Sequence, residues 1–389
     1  MANYWENVYT ISLNITDYVL VLGWFWGVLG ILLFYKQYKI SDLLIIKNII
    51  ILIIIFAGVF ISSICAVIYH DVPLFDELIA QRKLYNLLLY FIVFLYIKPS
   101  INEIKYTLRI LSSITLIFFC ISIFNPLLFL SEEQLLSRSN PTDIGAHVPG
   151  VIFLLLYLYM LISDLIQKKI SNVLVIEVVL YLGMLILYQN RSTLIGVLLV
   201  MLYALFKIRK KFGILSYLML ILTVLLGLTV FQDIFSVLID ETISQISTPS
   251  YNRWQAIDFF LFEYNTIPFC QIFGNGVPAA GTIYLSDLEN ASAVRWAYIS
   301  DIGMLGMYFY YGIIPLIVIY YIIIKILIHK KYPYFIKFFS FHVFVVPTIF
   351  EFARTGAFYF SLFFYLFSYL SKYDENGMLY LVGKRPINT

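Results

Sequence analysis

Apolar runs long enough, or nearly long enough, to cross a bilayer recur along the 389 residues at about 18–35, 43–69, 84–97, 108–130, 148–163, 173–189, 192–206, 213–236, 298–328, 334–350 and 356–371. A helix of roughly 20 apolar residues spans the hydrocarbon core. The pattern therefore predicts an all-α, polytopic integral membrane protein with about eleven (10–12) transmembrane helices. Composition agrees: 61% of residues are hydrophobic and 13% charged, against roughly 45–50% and 25% in soluble domains. Glu6 and Asp17 precede the first run, with no Lys or Arg before it. That start argues against a cleavable signal peptide, so the first helix is expected to stay.

Placing alternate connections on opposite sides puts Lys36, Lys39, Lys47, Lys98, Lys105, Arg109, Lys168, Lys169, Lys207, Arg209, Lys210, Lys211, Lys325, Lys330, Lys331, Lys337, Lys372, Lys384 and Arg385 together. These are 19 of the 26 basic residues, which marks their side as cytoplasmic and predicts an external N-terminus and an internal C-terminus. Arg82, Lys83, Arg138, Arg191, Arg253, Arg295 and Arg354 remain outside. Six of those seven are arginine, whereas only three of the nineteen inside are. Arginine's planar fork grips carboxylate or phosphate oxygens bidentately and keeps its charge at any pH. The external face is thus expected to hold an anionic ligand. Arg191, in a very short turn between two apolar runs, has an alternative reading as a helix-end residue that snorkels to the headgroups.

The chain is expected to form a single membrane domain over 1–389, with one long external segment at 237–297. Long loops in compact proteins are usually functional or disordered, and the aromatic residues Trp254, Phe259, Phe260, Phe262, Tyr264, Phe269 and Trp296 argue against disorder. Within "YNRWQAIDFFLFEY", Trp254, Ile257, Leu261 and Tyr264 make one helical stripe, with Asp258 and Phe262 off it. Asn252 is the expected N-cap, which sets Arg253 at the helix start; a helix lying on the membrane surface is the simpler reading. Gly274 and Gly276 of "FGNGVPAAG" permit a tight turn or a close ligand approach. The stretch has neither the spacing nor the lysine of a nucleotide loop. In "YISDIGMLGMYFYYG", Asp301 suits the positive end of the following helix, and Gly303, Gly306 and Gly312 suit helix packing. Glu351 and Arg354 are spaced for a local ion pair.

His70, His147, His329 and His342 are scattered without zinc-ligand spacing, so no metal and no cofactor is expected. Cys65, Cys120 and Cys270 fit no metal or disulfide spacing. No hydrolase elbow or H-E-x-x-H motif occurs. A net charge of +3 with its positive residues in cytoplasmic-type loops does not point to nucleic acid.

The arrangement resembles the bacterial O-antigen polymerase and O-antigen ligase superfamily, inner-membrane enzymes with about ten to fourteen helices and a large periplasmic loop in the second half. The resemblance is most specific from about 188 to 312. It rests on Arg191 opening a helix after a short turn, on Arg253 followed by a helix, Pro268 and Gly274-Asn275-Gly276, and on "SDIGMLGMYFYYG". Ligases carry a histidine near the loop's end, whereas "ENASAVRWAY" has none, which favours polymerase. The resemblance implies that the chain joins polyprenyl-diphosphate-linked oligosaccharide repeat units, with membrane lipids around it and a chain-length regulator protein as a partner. It implies catalytic roles for Arg191, Arg253 and Asp301, and substrate contacts for Arg295, Arg354, Glu351, Tyr251 and Asn275. Glu289, Glu351 and Asp301 are the choices for a general base.

Other classes remain open at this level. A lipid-linked sugar flippase or transporter should show inverted repeats or matched broken helices, and none is evident. A glycosyltransferase using polyprenyl-phosphate sugars should carry an acidic pair in its first external loop. Asp71, Asp76 and Glu77 lie in such a loop, but not in D-x-D or E-x-D form.

Overall fold

In a computed structural model, the described residues are 43–81, 84, 99–125, 150–167, 171–187, 193–204, 206, 252–295, 298–329, 332–346 and 361–367. In chain order their α-helices are α1 (Leu43–Tyr69), α2 (Leu74–Ala80), α3 (Ile101–Phe124), α4 (Val151–Gln167), α5 (Asn172–Leu187), α6 (Thr193–Ala204), α7 (Asn252–Ile257), α8 (Pro268–Phe273), α9 (Ile283–Arg295), α10 (Met304–Tyr311), α11 (Ile313–Ile328), α12 (Tyr334–Val345) and α13 (361–367). A π-helical turn, Asp258–Glu263, follows α7, and a 3-10 turn, Ile299–Ile302, precedes α10. The protein is all-α, with no strand among the described residues. Two helical stretches, Ile50–Tyr69 and Ile101–Ser122, are long and apolar enough to cross a membrane. Val151–Gln167, Asn172–Ile186, Thr193–Ala204, Ile313–Ile328 and Tyr334–Val345 are apolar but shorter. The runs expected at 18–35 and 213–236, and nearly all of 84–97, lie outside the described residues.

The chain divides into two compact units. One contains α3 to α6 and α12. The start of α3 is set by the S-x-x-E sequence at Ser100 to Glu103. The Glu103 N–H donates to Ser100 Oγ at 3.3 Å, and the Ser100 N–H donates to the Glu103 carboxylate at 2.6 Å, closing a capping box. Helix α4 packs against α3, α5 and α12, so residues from Leu154 to Ser163 are buried around its whole circumference. Lys105 and Arg109, which the charge pattern assigns to orientation, are ion-paired with Asp164 and Glu177. Their charge therefore serves helix packing as well. Inside this unit the Tyr159 hydroxyl and His342 Nδ1 share a hydrogen bond, and both side chains are wholly buried. Gly196 makes room for the imidazole: a Cβ there would lie 2.4 Å from His342 Cε1.

The other unit contains α1, α2, α7 to α11 and α13. Helix α1 packs along α11, and Gly58 receives the ring of Pro315, since a Cβ at 58 would come within 2.9 Å of Pro315 Cδ. The apolar run at 298–328 is not one helix. It breaks into the 3-10 turn, α10 and α11 at Gly303 (φ 52°) and Gly312 (φ 77°), a left-handed conformation that costs glycine nothing sterically. The Gly312 N–H ends α10 by donating to Tyr308 O at 2.8 Å. Gly306 does serve close packing, because a Cβ there would lie 2.7 Å from Ile299 O.

The expected stripe of Trp254, Ile257, Leu261 and Tyr264 is corrected by the structure. Ala256, Phe259 and Phe260 are the buried positions, Ile257, Leu261 and Tyr264 flank them, and Trp254 is exposed. The cause is the π turn, in which the Tyr264 N–H reaches back five residues to Phe259 O at 2.8 Å and the helical period widens. Asn252 is also the first residue of α7 and not the residue before it.

Gly312 meets the backbone of α8, where a Cβ would stand 2.4 Å from Phe273 C. Gly312→Ala should therefore lower the unfolding midpoint of the purified protein by the equivalent of about 2 kcal/mol or more, from backbone strain and clash. Gly183→Ala, in α5 with nothing within 4 Å of the new methyl, should leave it unchanged or raise it by about 0.5–1 kcal/mol. Thermal unfolding followed by intrinsic fluorescence compares the two.

Candidate functional site

The end of α1 builds the first part of the site. Asp71 takes a left-handed conformation (φ 52°) two residues past the end of the helix, one that Asp tolerates better than most residues. The Val72 N–H turns back to Ala66 O at 3.3 Å. That reversal lays α2 against α1 and points Glu77 inward, where the side chain is wholly buried. Gln81, one turn on, donates from Nε2 to both Glu77 Oε1 at 2.7 Å and Ser63 Oγ at 2.6 Å.

The second part is the glycine turn after α8. Gly274 and Gly276 both have positive φ, and a Cβ on Gly274 would lie 2.4 Å from Tyr310 O. This close approach lets the Asn275 N–H donate to Phe309 O at 2.8 Å and the Gly276 N–H to Tyr310 O at 2.9 Å, pinning the turn to α10. The next amide, Val277 N–H, donates to Glu77 Oε1 at 2.9 Å. A Cβ on Gly276 would stand 2.6 Å from that same oxygen and 2.7 Å from Ala66 Cβ. Only glycine fits there.

Around this junction lies an aromatic stack. The His70 ring is parallel to Tyr284 at 4.2 Å and to Tyr264 at 5.9 Å. Asn275 Nδ2 donates to Phe309 O at 3.2 Å, which turns its Oδ1 toward His70 Nε2 at 3.1 Å and makes that nitrogen the donor. Burial lowers the His70 pKa, against the opposing pull of the Asn275 bond, so the ring is neutral at pH 7. Burial also holds Tyr284 well above its ordinary range, and its hydroxyl donates to Gly276 O at 3.2 Å.

Glu77 Oε2 has no partner among the described residues. Burial pushes its carboxyl up to about 7, against the lowering effect of the Gln81 and Val277 bonds. The group therefore changes charge near neutrality, a property more common at functional positions than at purely structural ones. No cluster of three His, Cys, Asp or Glu side chains suited to a metal occurs among the described residues.

Of the residues expected to act, Asn275 is in this junction, buried and hydrogen-bonded to His70. Arg253 and Trp254 are both exposed on the first turn of α7. Helix α7 packs against the 3-10 turn that contains Asp301 and against α9, which ends at Arg295. The fold thus brings these three positions onto touching elements. Arg191, Tyr251, Glu351 and Arg354 lie outside the described residues. Glu289 is on an exposed face of α9. Comparisons with protein-family models, curated proteins and solved structures find no match.

His70 was not legible in the sequence as a site member, and Glu77 was legible only as one of the acidic residues of the first external loop. Their signal was an acidic residue and a histidine in a connection too short to carry them far from the helix end, but their partner at 275–277 lies some two hundred positions away.

The raised carboxyl carries a signed pH dependence. The junction's contribution to stability is fully present below the ordinary value of 4.5 and is lost as pH rises through the folded value of about 7. Each unit in that window removes about 1.4 kcal/mol at most. Wild-type protein should therefore unfold more readily at pH 7.5 than at pH 5.5, whereas Glu77→Gln should flatten that difference. Equal slopes in unfolding curves of the two proteins would exclude Glu77 as its source.

Proposed function

We propose that the chain is a polytopic integral protein of the bacterial inner membrane that polymerises polyprenyl-diphosphate-linked oligosaccharide repeat units at the periplasmic face. The observation that carries the reading is the exposed pair Arg253 and Trp254 on α7, packed against the elements of Asp301 and Arg295. A guanidinium fork suits a diphosphate, and an exposed aromatic face at the next position suits a sugar ring. The two long apolar helical stretches and the five shorter ones support the membrane setting, and the concentration of arginine on the side opposite most of the lysines supports an anionic ligand there. The N-terminus is then periplasmic and the C-terminus cytoplasmic. A chain-length regulator protein is the expected partner.

The acceptor sugar hydroxyl attacks the anomeric carbon of the donor's reducing-end sugar, and the bond from that carbon to the diphosphate oxygen breaks. Negative charge grows on the departing polyprenyl diphosphate. Arg191 and Arg253 stabilise it as preorganised donors, with Arg295 and Arg354 further out. Asp301 takes the hydroxyl proton, and Glu351 and Tyr251 contact substrate; Asn275, expected to contact substrate, is buried with both ends of its amide engaged, so with Glu77 it holds the glycine turn that follows α8. Since the leaving group is good, the demand on the base is small and the demand on the cations is large.

Surface lipopolysaccharide from a strain lacking this gene, run on a gel beside the complemented strain, tests the reading. Loss of the ladder with retention of core bearing a single repeat is expected. Bare core with glycan accumulating on the lipid carrier would instead make the chain a ligase, and an unchanged ladder would defeat both. Arg191→Lys and Arg253→Lys retain the charge but not the fork. Each should reduce chain growth by about 10²-fold or more at wild-type protein level, measured as polymer formed by membranes supplied with lipid-linked repeat units.

A further inference from the structure

Cys65 and Cys270 are far apart in sequence, yet their thiols are hydrogen-bonded to each other, and neither side chain is exposed. Cys65 lies one turn before the end of α1, and Cys270 lies in the middle of α8, which packs against α1. The register is held independently on both sides of the pair. Tyr69, one turn along α1, meets Phe269 with ring centroids 6.4 Å apart, and Ala66 faces Gly276 so closely that a Cβ there would lie 2.7 Å away. Two isolated buried cysteines would behave as small apolar side chains. Here the two thiols interact between two packed helices whose neighbouring contacts fix their alignment.

We propose that Cys65 and Cys270 are a disulfide site that fastens α8, and with it the glycine turn, to the last turn of α1. The inference rests on the proposed topology, which puts this end of α1 on the periplasmic side, where disulfides form and persist. Each sulfur gives up its hydrogen and one S–S bond forms. The two protons and two electrons pass to a periplasmic thiol–disulfide oxidant, whose own disulfide is reduced to two thiols. Because both side chains are buried in the finished fold, the bond forms as α8 docks, before the turn closes over it. With α8 tied to α1, the Val277 N–H stays within reach of Glu77. Cys120, in α3 of the other unit, has no such neighbour among the described cysteines and serves as an internal control.

Thiol counting on the full chain decides it. Cells are quenched in acid, and the denatured protein is alkylated with a mass-tagged maleimide before and after reduction. One tag before reductant and three after is the expected result, with Cys65→Ser giving two tags in both conditions. Three tags on wild-type protein without reductant would overturn the disulfide. A parallel measurement separates that outcome from a wrong topology: Phe262→Cys, at an exposed position of the π turn, is combined with replacement of the three native cysteines by serine. Labelling of this variant in spheroplasts by a membrane-impermeant maleimide supports the periplasmic side. Labelling together with three free native thiols rejects the disulfide alone. Absence of labelling in spheroplasts, with full labelling after lysis, rejects the proposed topology, and together with three free native thiols it rejects the disulfide as well.

Discussion

The close approach of two backbones, at Gly274 to Gly276 on one side and Phe309 to Gly312 on the other, is the constraint on which one unit of this protein depends. Side chains at 274 or 312 would hold the strands of chain apart. Without contact at that distance, the amides of Asn275 and Gly276 could not reach the last carbonyls of α10, which would otherwise lack partners at a helix end. Glycine is the least favourable residue to order in this way. That entropy cost is offset by two backbone hydrogen bonds and by the packing of α8 between α1 and α11.

The polar groups of the two units follow different electrostatic logic. Where charges lie near the surface, as at Arg109 and Glu177, each has an opposite partner and the net contribution is small. Glu77 has no cation among its described partners. It is surrounded by neutral donors from Gln81 and Val277, by Ala66, and by an aromatic layer of His70, Tyr264 and Tyr284 in which His70 is itself uncharged at pH 7. A buried carboxyl in such surroundings favours its protonated form. The junction is held by hydrogen bonds to a group whose ionisation works against burial.

Much of the local structure was visible in the residues. The long apolar run at 43–69 coincides with α1, whereas the run at 108–130 missed the start of α3 at Ile101, because the polar first turn capped by Ser100 and Glu103 lies outside an apolar run. Runs at 148–163, 173–189 and 192–206 correspond to α4, α5 and α6 with small shifts at their ends. What failed were features that a periodic reading cannot carry. "MYFYYGIIPL" is continuously apolar, so the break at Gly312 was hidden although Gly312 and Pro315 were its markers. A π turn has no distinct composition, and it shifted the buried face of 252–264 away from the α-helical stripe. Pairings such as Glu77 with Val277 and Cys65 with Cys270 depend on tertiary topology. Their residue types were noticed, but nothing in their spacing joined them. Of the expected site, Asn275 belongs to the buried junction, and the elements of Arg253, Asp301 and Arg295 meet.

The π turn after α7 has a consequence for how this segment tolerates change in length. A π turn is equivalent to one residue inserted into an α-helix. Removal of a single residue between Asp258 and Glu263 would close the turn to the ordinary ladder, and the positions after it would keep roughly their place beside Phe309. The same deletion inside a regular helix such as α9 would swing every later position by about 100° around the axis. The π turn is therefore the place where this segment absorbs a change of one residue in length, and related chains that keep the junction are free to differ by one residue here.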